Sequence, residues 1–206
     1  MSIEIRRKEI LRLFDENIYP HIMGDLKILD SIQPTSNGSG GCTVPTAMLI
    51  LSALDLIGYS LRQSAKLDDT EGNINSAMNY NHYFPALYDP DVISTLIIFY
   101  RHGLMHSFYP RQTKTKIYGI HKSENSTLLE TISNQGFSIT SLNVNVLSKH
   151  FKQFIDSLYS EIKITGDQIL LDNIYNSFKA TYPENFTTSP ITTYQTTIPY
   201  GVTSNK

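Results

Sequence analysis

The sequence predicts a mainly α-helical domain that carries a small antiparallel β insert after residue 110. Three observations indicate this fold class. Apolar residues recur at helical spacing in several long stretches, segments rich in proline and glycine separate those stretches, and polarity alternates with a period of two after Pro110. The 206 residues are 40% hydrophobic, which is enough for one core, so we expect a single domain over residues 1–185.

The first half of the chain predicts two long helices. The first should cover about residues 2–19 and end at Pro20, and a shorter helical piece should follow from Asp25 to Ile32. After a Ser- and Gly-rich loop, an almost wholly apolar helix from about Pro45 to Leu61 should be the central one.

Asp55 interrupts the apolar surface of that central helix. A buried carboxylate is costly unless it is paired, so one interpretation gives Asp55 a cation or a donor as partner, with Arg101 as the first candidate. The alternative places Asp55 on a stripe that faces solvent.

The second half predicts a helix, an insert and two more helices. Asp89 and Pro90 are typical of a helix start and begin a helix over about residues 90–106. Alternating segments predict two or three strands within about 113–142, and helical spacing returns from about residue 143 to 163 and again after Gly166. The Thr- and Ser-rich tail, 186–206, has a β-prone stretch, and we expect it to dock on a strand edge or on a second protomer.

The composition limits which partners and which cellular compartment we expect for the protein. A net charge of -2, from 17 Lys and Arg against 19 Asp and Glu, excludes a surface that attracts nucleic acid everywhere. The single cysteine, Cys42, excludes an intrachain disulfide and favours an intracellular setting. The N-terminus lacks the apolar core of a signal peptide, and uninterrupted apolar runs such as Met48 to Leu51 are too short to span a bilayer. We therefore expect a cytoplasmic protein that has no contact with membranes.

The end of the 90–106 helix concentrates residues that can act on phosphate. Arg101, His102 and His106 lie within two helical turns, and no Asp or Glu occurs between Arg101 and Lys122. Metal-free cleavage of RNA needs a base for the 2′-hydroxyl, an acid for the leaving 5′-oxygen and a cation for the phosphorane, and it yields a 2′,3′-cyclic phosphate. Alternatively, His106 could simply stabilise the end of the helix and Arg101 could extend from the core to solvent.

This pattern resembles the motif of the HEPN superfamily, in which an arginine, a polar residue, three further positions and a histidine close an apolar helix. Arg101 matches the family arginine, His106 matches the histidine, and His102 stands where asparagine is commoner. The glycine-rich entry at Gly40 and Gly41 into an apolar helix also looks like bacterial members of that superfamily. The resemblance covers about residues 1–110.

The resemblance implies an up-down helical bundle and, for some members, metal-independent endoribonuclease or toxin activity. Two protomers that pack these helices face to face would build the site, with His106 as acid or base, Arg101 on the scissile phosphate and His102 in an assisting role. A homodimer, RNA and an antitoxin protein are then the expected partners, and no cofactor is expected.

Two other functions fit the same residues. A non-catalytic HEPN-like module could bind nucleic acid, a nucleotide or a protein partner, and the basic residues Arg111, Lys114 and Lys116 would then provide phosphate contacts without chemistry. A metal site is the other alternative, because His102 and His106 are spaced as two zinc ligands on one helix face would be. That site would need a third ligand, for which His121 and Asp55 are the candidates.

Overall fold

The chain folds as a mainly helical protein with one small sheet, as the sequence predicts. The computed structural model describes residues 2–36, 40–62, 68–134 and 136–181. Its α-helices are α1 Ile3–Leu13, α2 Gly24–Ser31, α3 Thr43–Leu61, α4 Thr70–Asn79, α5 Pro90–Thr95, α6 His102–Ser107, α7 Val144–Ile164 and α8 Gln168–Thr181. Its strands are β1 Lys116–His121, β2 Leu129–Asn134 and β3 Phe137–Asn143.

The first helix does not end at Pro20, so that prediction is wrong. A π-helical segment, Phe14–Met23, continues directly from α1 and leads into α2. Pro20 removes one N–H donor, but hydrogen bonds that reach back five residues carry the helix past it. The buried side chains Phe14 and Ile18 also anchor this segment in the core, which favours continued helix.

The apolar helix α3 is central, as expected. It packs against α2, α4, α7 and α8, and also against the helix that carries Arg101. Among the described residues α3 is the one helix long and apolar enough to cross a membrane, but half of its most apolar window is buried inside the protein. A core helix of a soluble protein meets the same criteria of length and composition.

The helix predicted over 90–106 has three parts. Asp89 caps α5 by accepting a hydrogen bond from the Val92 N–H at 2.8 Å, and a π-helical segment, Leu96–Arg101, joins α5 to α6. Asp55 of α3 contacts Arg101, and Ser52 of α3 contacts Met105. The residue earlier in α3 therefore meets the residue later in the motif helix. The two helices are therefore antiparallel, as predicted.

The sheet is mixed, which corrects the prediction of an antiparallel insert. Strand order is β1-β3-β2, and β3 pairs antiparallel with β2 but parallel with β1. The tight β2–β3 connection, with Gly136 at a φ of 88°, fixes the antiparallel pair. On the far side of β3, Tyr118 of β1 stacks on Phe99 with ring centroids 4.0 Å apart, which holds β1 against the helical layer.

The last two helices follow the predicted pattern. Asn143 caps α7 through its side chain, which accepts from the Asn145 N–H, and α8 begins two residues after Gly166. The inner faces of α7 and α8 are buried and complete the core with α1 and α3. The tail at 186–206 lies outside the described residues, so its docking stays a prediction.

Candidate active site

The structure places the motif arginine in a largely buried ion pair. Arg101 is the last residue of the π-helical segment, and its Nη2 atom donates to Asp55 Oδ2 at 3.2 Å. The two side chains are only 16% and 14% exposed. The partner predicted for Asp55 is therefore confirmed. Asp55 takes one hydrogen bond from a guanidinium with five N–H donors, so Arg101 keeps donors for another anion.

Two neutral residues of α4 complete the environment of Asp55. Thr70 Oγ1 donates to Asp55 Oδ2 and Asn73 Nδ2 donates to Asp55 Oδ1, each at 2.9 Å. Asn73 is fully buried because α3 and α4 touch at Gly58, where an added Cβ would lie 1.7 Å from the Asn73 carbonyl oxygen. This close packing fixes the carboxylate that holds Arg101.

The same network continues to a second arginine. Arg62 Nη1 donates to Asn73 Oδ1 at 2.9 Å and to Asp69 Oδ2 at 2.7 Å, while Asp69 also caps α4 by accepting from the Gly72 N–H. A chain of hydrogen bonds thus connects the N-terminus of α4 with Arg101. Such a network restricts the rotamers of its members more than any one pair would.

The two histidines of the motif face the same side of α6. Their ring centroids are 6.4 Å apart and the ring planes differ by 18°. His102 is half-buried, whereas His106 is exposed. Burial lowers the pKa of His102, and the positive charges of Arg111 and Arg101 lower this pKa further. His102 is therefore neutral at neutral pH, and its imidazole can accept a proton.

A tight turn after α6 brings Arg111 back to the histidines. Phe108 ends α6 in the left-handed conformation at a φ of 56°, and the Arg111 N–H donates to the Phe99 carbonyl at 2.7 Å. Gly103 permits this return, because a Cβ there would lie 2.5 Å from the Arg111 nitrogen and 2.6 Å from the Tyr109 carbonyl oxygen. The turn therefore depends on glycine at position 103.

The predicted basic residues divide into two groups. Arg111 lies close enough to His102 to affect its pKa, so the structure brings the positive charges of Arg101 and Arg111 together near His102. Lys114 and Lys116 are exposed, and their backbone belongs to a turn in which Thr113 Oγ1 accepts from the Lys116 N–H. Neither lysine makes a salt bridge with a described residue.

Among the described residues, no third ligand lies near His102 and His106 to complete a metal site. No group of three His, Cys, Asp or Glu side chains there is arranged to hold an ion. Asp55 is engaged by Arg101, Thr70 and Asn73. His121 lies on β1, with Nδ1 2.8 Å from Ser141 Oγ and Nε2 3.6 Å from Glu130.

Sequence reasoning missed Thr70 and Asn73, and it missed Gly103. Thr70 and Asn73 are three residues apart, so they lie on the same face of a helix. Only the packing of α4 on α3 reveals that this face meets Asp55. Gly103 was within the motif, and a glycine between two histidines of a helix is itself a signal of close backbone approach.

No protein-family model, curated protein sequence or solved structure matches this chain. Its function has to be inferred from the chemistry of its own side chains. The site offers a largely buried, oriented guanidinium, a neutral imidazole and an exposed imidazole on one helix, and a further arginine after the turn that follows it. These groups can bind a phosphodiester and transfer protons to and from it.

Proposed function

We propose that this protein is a HEPN-like, metal-independent endoribonuclease that acts on RNA as a homodimer. The observation that carries the proposal is the ion pair between Arg101 and Asp55, because it fixes a guanidinium near His102, whose ring centroid is 6.4 Å from that of His106. The alternative in which Arg101 extends from the core to solvent does not apply, since its side chain is only 16% exposed. Preorganised positive charge is what a phosphorane transition state requires.

The proposed reaction is an attack of the RNA 2′-hydroxyl on the adjacent phosphorus. One His106 takes the 2′-hydroxyl proton, the P–O5′ bond breaks, and the His106 of the second protomer returns a proton to the 5′-oxygen. Arg101 neutralises the two non-bridging oxygens while the charge develops. The products are a 2′,3′-cyclic phosphate and a 5′-hydroxyl, and no metal ion or other cofactor takes part.

Exposed apolar side chains around the histidines support a second protomer at this site. Met105, Phe108 and Tyr109 are 40%, 69% and 66% exposed and lie in or directly after α6. Exposed large apolar side chains beside charged groups are typical of a protein interface. Packing α6 against its symmetry mate would cover these side chains and bring two copies of His106 to one phosphate.

Three further features belong to the same proposal. The helical part of the chain is an up-down bundle of HEPN type, the protein acts in the cytoplasm, and its activity is toxin-like, so that an antitoxin protein restrains it. Arg111, Lys114 and Lys116 lie on the RNA path after the site, where phosphate contacts would add affinity without sequence preference.

A cleavage assay with matched variants tests the proposal. Single-stranded RNA is incubated with the wild type, His106→Ala, His102→Ala and Arg101→Lys, each with and without EDTA. Arg101→Lys keeps a cation beside Asp55 but loses the planar guanidinium. We expect cleavage by the wild type, a loss of about 10²–10⁴ in rate for His106→Ala and a smaller loss for His102→Ala.

Two other outcomes would replace this mechanism. If EDTA stops cleavage and both histidine variants lose activity equally, His102 and His106 are metal ligands. If the wild type binds RNA with a steep salt dependence but cleaves none, the chain is a non-catalytic RNA-binding module.

A further inference from the structure

A polar cavity of about 290 Å³ lies between the loop 123–126 and the first two turns of α7. Ser123, Glu124, Ser126, Asn145, Lys149 and His150 are among its lining residues. None of the motif residues lines it, so this cavity is separate from the candidate active site. Its volume suits a small polar ligand or the end of a larger one.

Hydrogen bonds to Asn143 hold the loop that forms one wall of the cavity. This side chain is fully buried, and its Oδ1 accepts from the N–H groups of Ser123 and Asn145 at 3.3 and 3.2 Å. Its Nδ2 donates to the carbonyls of Ser123 and Asn125, each at 3.2 Å. Three of these hydrogen bonds hold the loop and the fourth joins Asn143 to α7, so the wall is preorganised, which lowers the entropic cost of binding a ligand.

A buried tyrosine fixes the hydrogen-bonding state of His150. Tyr88 is 5% exposed, and its hydroxyl lies 3.0 Å from His150 Nδ1. His150 Nδ1 is the hydrogen-bond partner of the buried Tyr88 hydroxyl, so the hydroxyl donates to it, because a buried O–H without an acceptor would be costly. Burial lowers the pKa of His150, and the neutral ring then carries its proton on Nε2. His150 therefore offers an N–H donor for a ligand.

The neighbouring side chains supply a cation and further donors. Lys149 is exposed, and its ammonium makes no salt bridge with a described residue. The hydroxyls of Ser123 and Ser126 stand on the opposite wall, and Glu124 is the one carboxylate among the lining residues. A tetrahedral anion with several terminal oxygens can use such converging donors together, whereas Glu124 can accept from a hydroxyl of the same ligand.

We infer that this cavity binds a phosphate monoester, with the phosphate on Lys149 and His150 and a neighbouring sugar hydroxyl on Glu124. The monoester belongs either to a small sugar phosphate or to the 5′-phosphorylated end of an RNA. The site does not depend on the proposed cleavage, since the motif residues take no part in it.

Calorimetric titration of the whole protein tests this site. Ribose 5-phosphate and a short RNA with a 5′-phosphate are the probes, and the same RNA with a 5′-hydroxyl is the reference. The RNA titrations use His106→Ala, whose altered side chain is exposed and lies outside the cavity. We expect Lys149→Gln to weaken binding of the phosphorylated probe about tenfold or more, because a charge-assisted hydrogen bond is lost.

Lys163→Gln is the matched control, since it removes the same charge from the far end of α7. It should leave the affinity unchanged. Binding of ribose 5-phosphate identifies a small ligand, and binding of RNA only when it carries the 5′-phosphate identifies an RNA end; both support the site. The inference is overturned if neither probe binds at millimolar concentration, if the 5′-hydroxyl RNA binds equally well, or if Lys149→Gln and Lys163→Gln have the same effect.

Discussion

Arg101 and Asp55 form an ion pair that joins the motif helix to the centre of the core, with 3.2 Å between Nη2 and Oδ2. Both side chains are largely withdrawn from solvent. Thr70 and Asn73 also donate to the carboxylate, one to each oxygen. The pair therefore connects the stability of the fold with the orientation of the group that we propose to bind phosphate.

Asp55→Ala should lower the free energy of unfolding by about 3–5 kcal/mol, because it leaves the Arg101 charge buried without its partner. Urea denaturation measures this change. Glu4→Ala is the control, since Glu4 pairs with Arg7 on the surface, where its side chain is 73% exposed. That substitution should cost less than about 1 kcal/mol. If both variants lose the same free energy of unfolding, the Arg101–Asp55 pair contributes no more to stability than a surface pair.

Gly103→Ala should destabilise the turn that returns Arg111 to the histidines. The new Cβ would lie 2.5 Å from the Arg111 nitrogen, so the backbone has to move, at a cost of about 1–3 kcal/mol. Thermal unfolding and RNA cleavage should both reveal the loss. Gly166→Ala is the matched control, because no atom lies within 4 Å of a Cβ there, and it should be close to neutral. A normal melting temperature for Gly103→Ala would contradict this account of the turn.

Acid should destabilise the protein through its partly buried histidines. The pKa values of His102 and His150 are lowered in the folded state, so the unfolded chain binds more protons as the pH falls through about 6.5. Their contribution to stability is complete above that pH and declines below it. The free energy of unfolding, measured by denaturation at about pH 7.5 and pH 5.5, should differ less between the two pH values for His102→Gln than for the wild type. An unchanged difference would mean that His102 is protonated equally in both states.

Tyr109→Glu should separate the proposed homodimer. Tyr109 is 66% exposed and follows α6, so a carboxylate there would face its symmetry mate and disfavour association. Light scattering should then give the mass of one chain, and RNA cleavage should cease. Ile164→Glu is the control, because Ile164 is 85% exposed at the end of α7, away from the motif. A wild type that is monomeric at micromolar concentration would contradict the two-protomer site.

Periodicity and local chemistry predicted much of this molecule. Helical spacing indicated the central helix and the motif helix, and the β-prone segments after Pro110 indicated two or three strands, where the described residues form three. The partner of Asp55 could be predicted because an unpaired carboxylate in an apolar helix is too costly. These predictions depend on neighbours in sequence or on one strong energetic constraint.

Other features depend on tertiary packing and could not be predicted in this way. The antiparallel arrangement predicted for the insert was wrong because alternation identifies strands but not their neighbours. The stacking of Tyr118 on Phe99 decides on which side of β3 the first strand lies. The helical passage through Pro20 needed the anchoring of Phe14 and Ile18 in the core. The contacts of Asn73 arise only where α4 crosses α3.

Analysis of the RNA ends tests the central claim most directly. Wild-type protein and His106→Ala are incubated with a labelled single-stranded RNA in EDTA, and the new termini are identified by mass spectrometry. The proposed mechanism predicts 2′,3′-cyclic phosphate and 5′-hydroxyl ends from the wild type and almost none from His106→Ala, since proton transfer by His106 is what releases the 5′-oxygen. Ends that carry a 5′-phosphate, or equal cleavage by both proteins, would contradict it.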